Sequence, residues 1–226
     1  MTTALEIETD EPEIETEPIS TVADLVARLG DVPPERILMT PRPGQATEAD
    51  AVRLTGRADK QICELIDGVL VRKPMSMHST ILGFWIGHLI QLFLDQHNLG
   101  ILTGENGMAR MATANVRIPD VSFFSWDQLN RTIPDVAVAG VSPVLAIEVL
   151  SPSNTGREMR QKRDEYFASG TRLVWEFDPR TRTVRVFTGV QDSILLTEAD
   201  QLTGGDVLPG FLVAVRNVFS RLNPPA

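Results

Sequence analysis

The segment VLAIEVLSPSN, residues 144–154, decides the fold of this 226-residue chain. Its first seven residues are apolar except for Glu148, and such a run predicts one buried β-strand. An ionised carboxylate inside a protein is costly unless a partner compensates for its charge. The segment therefore predicts that Glu148 faces such a partner, and the rest of the chain indicates which one.

The segments on either side of this strand predict a layered domain. Asp67-Gly68 separates two short apolar runs, which is a hairpin signal. Residues 78–98 predict a helix that is apolar on nearly every side, and residues 155–170 predict a charged helix closed by Gly170. Further strands are predicted at about 101–105, 108–112, 116–124 and 144–150. This order predicts an α/β or mixed α+β fold with a mixed sheet.

The chain divides into three parts by composition. Residues 1–20 contain seven acidic residues and no Lys or Arg, which predicts a disordered acidic tail. The tail serves solubility or, alternatively, competes for a nucleic-acid groove. Residues 21–60 predict a short helix at 22–29, capped by Ser20 or Thr21, followed by a wrapping segment with few regular elements. Residues 61–226 form the predicted main domain.

Charge and cysteine content limit the function classes. The net charge is −9, but without the tail the chain has 21 basic and 23 acidic residues, so the charge does not exclude nucleic acid. Cys63 is the only cysteine, which excludes an intramolecular disulfide and fits a reducing cytoplasm. The 14-residue apolar run 81–94 is shorter than a membrane span, and no signal peptide is evident. We therefore expect a cytoplasmic protein without a membrane partner.

Two further charged residues belong with Glu148. Asp120 follows Pro119 at the start of an apolar strand, and Lys162 lies in the charged helix. Taken alone, Asp120 fits a simple turn and Lys162 fits a solvated pair with Glu158 four residues earlier. Taken together, two carboxylates at neighbouring strand ends repel each other unless a cation lies between them. Mg²⁺ suits such a site, and a nearby lysine could orient water, which indicates a metal-dependent phosphodiester hydrolase.

Five segments occur in an order that resembles a known family. They are CELIDGVLV (63–71), RIPDVSFFS (117–125), LAIEVLSPSN (145–154), EMRQKRDEYFASGTRLVWEFDP (158–179) and GGDVLPGF (204–211). The chain resembles the restriction-endonuclease-like superfamily, whose motif is Pro-Asp followed by Asp/Glu-x-Lys. More closely, it resembles the bacterial Uma-two-type family, long catalogued as a domain of unknown function.

The resemblance implies a restriction-endonuclease-like core, with a mixed central β-sheet flanked by helices, and an Mg²⁺-dependent nuclease site. Asp120 matches the motif aspartate and Glu148 the motif acid. The motif lysine position is occupied by Leu150. In this family the lysine comes from the following helix, where Lys162 lies. Glu64 matches a family acid that completes the metal shell.

These matches lead to a leading hypothesis of a DNA endonuclease that uses Mg²⁺ or Mn²⁺. Asp120, Glu148 and the main-chain carbonyl of Val149 would bind the metal, Glu64 would support it, and Lys162 would position the attacking water. A catalytically inactive nucleic-acid-binding or regulatory protein on the same fold is the alternative.

Other features concern partners and packing. A homodimer through the 78–98 helix is expected, and a self-associating scaffold built on the same helix remains a third hypothesis. Tyr166, on the same helix face as Lys162, is assigned to packing or to holding the lysine stem. Basic residues that could contact a phosphate backbone are Arg72, Lys73, Arg157, Arg160 and Arg163.

Overall fold

The computed structural model describes residues 19–56 and 61–223. The helices are α1 (Val22–Arg28), α2 (Glu48–Thr55), α3 (Met77–His97), α4 (Gly156–Ala168) and α5 (Val215–Phe219). The strands are β1 (Cys63–Ile66), β2 (Val69–Arg72), β3 (Gly100–Thr103), β4 (Met108–Arg110), β5 (Val116–Arg117), β6 (Val121–Ser125), β7 (Val138–Ala139), β8 (Leu145–Val149), β9 (Leu173–Asp178), β10 (Thr183–Phe187), β11 (Ser193–Leu196), β12 (Gln201–Gly204) and β13 (Leu208–Ala214). The tail predicted at residues 1–20 lies, apart from its last two residues, outside this described part.

A six-stranded sheet in the order β11-β10-β9-β8-β6-β3 forms the centre of the molecule. It is mixed, because β8 and β9 run parallel while their other neighbours are antiparallel. Side chains alternate between the two faces of a strand. Leu145, Ile147 and Val149 therefore belong to the core shared with α3, whereas Ala146 packs with Tyr166 of α4. The same alternation places Glu148 on the α4 face.

A second, five-stranded sheet has the order β2-β1-β5-β4-β7. It contains the predicted hairpin, in which Asp67 and Gly68 adopt positive φ angles of 48° and 72° between β1 and β2. The mixed α+β class with mixed sheets flanked by helices is confirmed.

The prediction of one continuous strand at 116–124 is wrong, because this segment forms two strands that belong to two different sheets. β5 belongs to the five-stranded sheet and β6 to the six-stranded sheet. Pro119 lies between them, and a proline cannot donate to a strand ladder. The crossing sets Asp120 at the junction of the two sheets.

The region 31–59 also contains a helix that the sequence analysis did not predict. α2 begins after a capping box in which Thr47 and Asp50 bond reciprocally. Ala51 of this helix is fully buried against the five-stranded sheet, in a cluster with Leu65 and Val116. The Thr-x-x-Asp pattern is typical of a helix N-terminus, but the surrounding Pro- and Gly-rich sequence favours the prediction of irregular structure.

α3, whose apolar sequence predicts burial in the domain or at a dimer interface, is buried in the domain on one face only. Leu82, Ile86 and Ile90 pack into the core, whereas the side chain of Phe84 is 80% exposed. By length and composition alone, the 21-residue helix could cross a membrane. A core helix of a globular protein passes the same test, and the buried face of α3 packs on β6 and β8.

The segment after α1 is tied to α4 by a buried ion pair. The guanidinium of Arg36 donates two hydrogen bonds, of 2.6 and 3.0 Å, to the carboxylate of Glu158. Glu158 also completes the capping box of α4 with Thr155. The pair between Lys162 and Glu158, considered above as the ordinary role of that lysine, is therefore not formed.

Candidate active site

The structure brings the four predicted catalytic side chains into one connected network. Lys162 Nζ lies 2.8 Å from Oε1 of Glu64 and 2.8 Å from Oε1 of Glu148. Asp120 joins through the main chain, since its Oδ2 accepts a 2.6 Å hydrogen bond from the N–H of Val149, the residue after Glu148. Residues from β1, the β5–β6 junction, β8 and α4 thus meet at one end of the central sheet.

Asp120 carries a second contact, which the sequence analysis did not predict. The Nζ atom of Lys73, the residue after β2, lies 2.7 Å from Oδ1 of Asp120, and the lysine side chain is only 4% exposed. The contact is an ion pair by distance, although Lys73 Nζ meets no hydrogen-bond geometry among the described residues. In the sequence, Lys73 belongs with the residues that could contact a phosphate backbone, and nothing in VRKP distinguishes it from Arg72.

Glu148 is buried and its two oxygens have different surroundings. Its Oε1 accepts a 2.6 Å hydrogen bond from the hydroxyl of Tyr166 and contacts Lys162. Its Oε2 forms no hydrogen bond or ion pair with the described residues. Burial raises the pKa of Glu148 to about 7; Lys162 opposes this shift, and the negative charge of Asp120 adds to it. The carboxyl therefore sits where an additional cation would be favourable.

The pKa of Glu64 is shifted in the opposite direction to that of Glu148. One oxygen accepts from the N–H of Ile118 and contacts Lys162, and the other accepts a 3.0 Å hydrogen bond from Arg117. Burial alone would raise the pKa of Glu64, but the charges of Lys162 and Arg117 outweigh it and hold the pKa at about 2. Both oxygens are engaged, so the geometry supports Glu64 as the residue that positions Lys162.

Arg117 and Tyr166 complete the network. The Arg117 guanidinium also binds Glu165 of α4 at 2.7 Å, and the residue is 1% exposed. Burial raises the pKa of Tyr166 well above its usual value, so its hydroxyl remains a donor to Glu148. Arg117 stands between apolar neighbours, the same signal that marked Glu148, and the sequence could have identified it.

Asp120 and Glu148 are the carboxylates predicted to hold a divalent metal. Within residues 19–56 and 61–223, no group of three or more His, Cys, Asp or Glu side chains could hold a metal ion. Mg²⁺ usually takes one or two carboxylates and keeps several waters. Both oxygens of Asp120 already have partners, Lys73 and the N–H of Val149, whereas Oε2 of Glu148 has no hydrogen bond or ion pair with the described residues. Asp120 and Glu148 as metal ligands stay a prediction. The Val149 carbonyl as a further ligand stays a prediction.

An open groove of about 400 Å³ leads to Asp120. Asp120 lines it together with one side of α3 and the end of β3, including Gly83, Phe84 and Thr103. A Cβ atom at Gly83 would lie 3.6 Å from Cβ of Asp120, so the helix passes close to the carboxylate. The groove gives a ligand access to the Asp120 side of the site.

The fold is of the restriction-endonuclease-like class. The chain belongs to the Uma2 family, whose model, described as "Putative restriction endonuclease", matches residues 49–216. A solved structure from Anabaena variabilis, described as "a putative nuclease belonging to DUF820", is similar with a TM-score of 0.65 and 19% identity, covering 72% of this chain and 92% of that one. No curated protein matches the chain. The predicted family and fold are confirmed, and a nuclease-like function is supported.

Proposed function

We propose that the protein is a metal-dependent endonuclease that hydrolyses phosphodiester bonds in DNA. The observation that carries this proposal is the buried Lys162 between Glu64 and Glu148, joined to Asp120 through the main chain of Val149. A protein that only binds nucleic acid has no need to present carboxylates toward phosphates. The family description supports the nuclease part of the proposal.

Asp120 and Glu148, with the carbonyl of Val149, would hold Mg²⁺ or Mn²⁺. When bound, the metal supplies a Lewis acid that activates water and offsets charge on the phosphate. The hydroxyl of Tyr166 holds the Glu148 carboxylate through Oε1, so Oε2 would be the oxygen that binds the metal.

Each lysine has a separate role in this proposal. A lysine ammonium has three donors, and Lys162 directs two of them at Glu64 and Glu148, so the third can orient the attacking water. Lys73 lies beside Asp120 with its donors unused in hydrogen bonds among the described residues, and it can donate to a phosphate oxygen. Arg117, through Glu64, keeps Lys162 in place.

The proposal extends to assembly and location. Leu92, a half-exposed apolar residue of α3, is a candidate contact for the homodimer expected through this helix. The single cysteine, Cys63, supports a cytoplasmic location.

One observation favours the alternative of an inactive nucleic-acid-binding protein. Lys73 and Lys162 already pair with Asp120 and Glu148, so the carboxylates are compensated without a metal. Leu150 also occupies the motif lysine position. The two hypotheses predict different results when the protein is incubated with DNA: cleavage for the endonuclease, and binding alone for the inactive protein.

The test compares Asp120→Asn with a matched control, Asp127→Asn, whose side chain is 92% exposed. Labelled single- and double-stranded DNA is incubated with each protein in Mg²⁺, Mn²⁺ or EDTA. We expect metal-dependent cleavage that Asp120→Asn lowers by about a hundredfold or more and Asp127→Asn leaves unchanged. Binding without cleavage by the wild type would instead establish the alternative.

A further inference from the structure

A second cleft, of about 480 Å³, lies beside the beginning of α4. We call it the basic cleft; its lining includes Ser151, Gly156, Arg163, Arg180, Arg185 and Glu176. Three arginines face one carboxylate there, in a chain whose net charge is −9. The basic cleft therefore differs in charge from the chain as a whole.

Two buried donors in the basic cleft lack a partner within the described residues. Ser151 is 3% exposed, and its hydroxyl forms no hydrogen bond, although its N–H is fixed by Asn154 at 2.9 Å. The Nε of Arg163 is likewise buried and unpartnered. A buried polar group without a hydrogen bond costs free energy. A ligand with several acceptor oxygens would satisfy both groups.

The charged side chains of the basic cleft favour the binding of an anion. Arg163 donates a 2.7 Å hydrogen bond to Glu176, which compensates the one carboxylate, and stacks 4.2 Å from the centre of the Phe187 ring. Arg180 pairs with Asp178 outside the lining, whereas Arg185 forms no ion pair with the described residues. Gly156 begins the 13-residue α4, whose first turn adds a positive dipole end.

The basic cleft lies at the same end of the central sheet as the candidate active site. β8 and β9 are parallel, so both strands finish at the same end of the sheet. Ser151 follows β8 and Arg180 follows β9 at this end, where Asp120 also contacts Val149. Ser151 is three residues beyond Glu148, so the Cα atoms of the two residues are at most about 10 Å apart. A separation up to this limit corresponds to at most roughly three nucleotides along one DNA strand.

From this geometry we infer that the basic cleft binds a backbone phosphate of the same nucleic-acid strand that enters the active site. The inference rests on the proposed function for the identity of the ligand. The cleft would fix the strand a few nucleotides from the bond to be cut, through charge and the two unpartnered donors. Such a contact is independent of base sequence.

The test measures DNA binding without cleavage. A fluorescein-labelled single strand and its duplex are titrated in EDTA with the wild type, Arg185→Gln and the control Arg216→Gln, an exposed arginine of α5. We expect Arg185→Gln to weaken binding about tenfold and to lower the slope of log K against log salt by about 0.7 to 0.9, with Arg216→Gln close to wild type. Equal effects of the two variants would overturn the inference.

A second variant tests the unpartnered hydroxyl itself. Ser151→Ala removes a buried polar group without changing the charge, so we expect a higher melting temperature together with weaker DNA binding at an unchanged salt slope. A lower melting temperature with unchanged binding would show that the hydroxyl serves the fold, and it would contradict the subsite.

The two proposals fail in different ways. If Arg185 controls DNA binding but Mg²⁺ and Mn²⁺ produce no cleavage, the basic cleft stands and the nuclease proposal fails. If the wild type cleaves DNA and Arg185→Gln binds and cleaves it with unchanged affinity, the nuclease stands and the subsite is wrong.

Discussion

Replacing Glu148 by glutamine should stabilise the metal-free protein at alkaline pH. The change keeps the shape of the side chain and removes only its ability to ionise. The pKa of Glu148 is raised to about 7 by burial and by the charge of Asp120, from an ordinary value of 4.5. Between these values the unfolded chain releases its proton while the folded chain retains it, so wild-type stability falls as the pH rises.

The size of this effect follows from the same two values. A gap between 4.5 and about 7, at roughly 1.4 kcal/mol for each unit of pKa, corresponds to about 3 kcal/mol. Above pH 7 the full penalty is present in the wild type and absent in Glu148→Gln. Below pH 4.5 the two proteins should have nearly equal stability.

Urea unfolding in EDTA at pH 4.5, 6 and 8 measures this difference. The control is Glu35→Gln, since Glu35 is exposed and lies outside the site. We expect the free energy of unfolding of Glu148→Gln to exceed that of the wild type by up to about 3 kcal/mol at pH 8. A variant less stable than the wild type at pH 8, or a difference that does not change with pH, would refute the reasoning about Glu148.

Three other variants test the network around this residue. Glu64→Gln should destabilise the protein by about 3 kcal/mol at pH 7, because the pKa of Glu64 is held at about 2, and this loss should fade as the pH falls from 4.5 toward 2 in urea unfolding. Lys162→Met should cost about 3 to 5 kcal/mol in the same assay, since it leaves Glu64 and Glu148 buried without their shared cation. Arg36→Met should cost a similar amount, about 3 to 5 kcal/mol, and should expose the N-terminal segment to limited proteolysis, because Glu158 loses its buried partner. A change below about 0.5 kcal/mol in either of these last two variants would contradict the assignment of a buried pair.

Glu148 is indicated by its local context, because it interrupts an apolar strand. Asp120 alone fits a simple turn and Lys162 alone fits a solvated helix position, so both are indicated by their combination with Glu148 and by the family resemblance. Glu64 is indicated by the resemblance alone. The structure places Lys162 between two carboxylates that lie 98 and 14 residues away in the chain.

Other parts of the site depend on contacts that no local pattern encodes. Lys73 reaches Asp120 across 47 residues, only because β2 and the β5–β6 junction meet in the fold. Tyr166 was assigned to packing or to the lysine stem, yet its hydroxyl binds Glu148. The split of the predicted strand at Pro119 likewise depends on which sheet each half joins.

Calorimetric titration of Mg²⁺ and Mn²⁺ into the wild type and Glu148→Gln tests the central claim most directly, followed by incubation of both proteins with labelled DNA. The account predicts that the wild type binds metal and cleaves DNA, whereas the folded Glu148→Gln variant does neither. A wild type that binds no divalent metal and leaves DNA intact would contradict the account and show that Glu148 is a buried carboxylate without an ion.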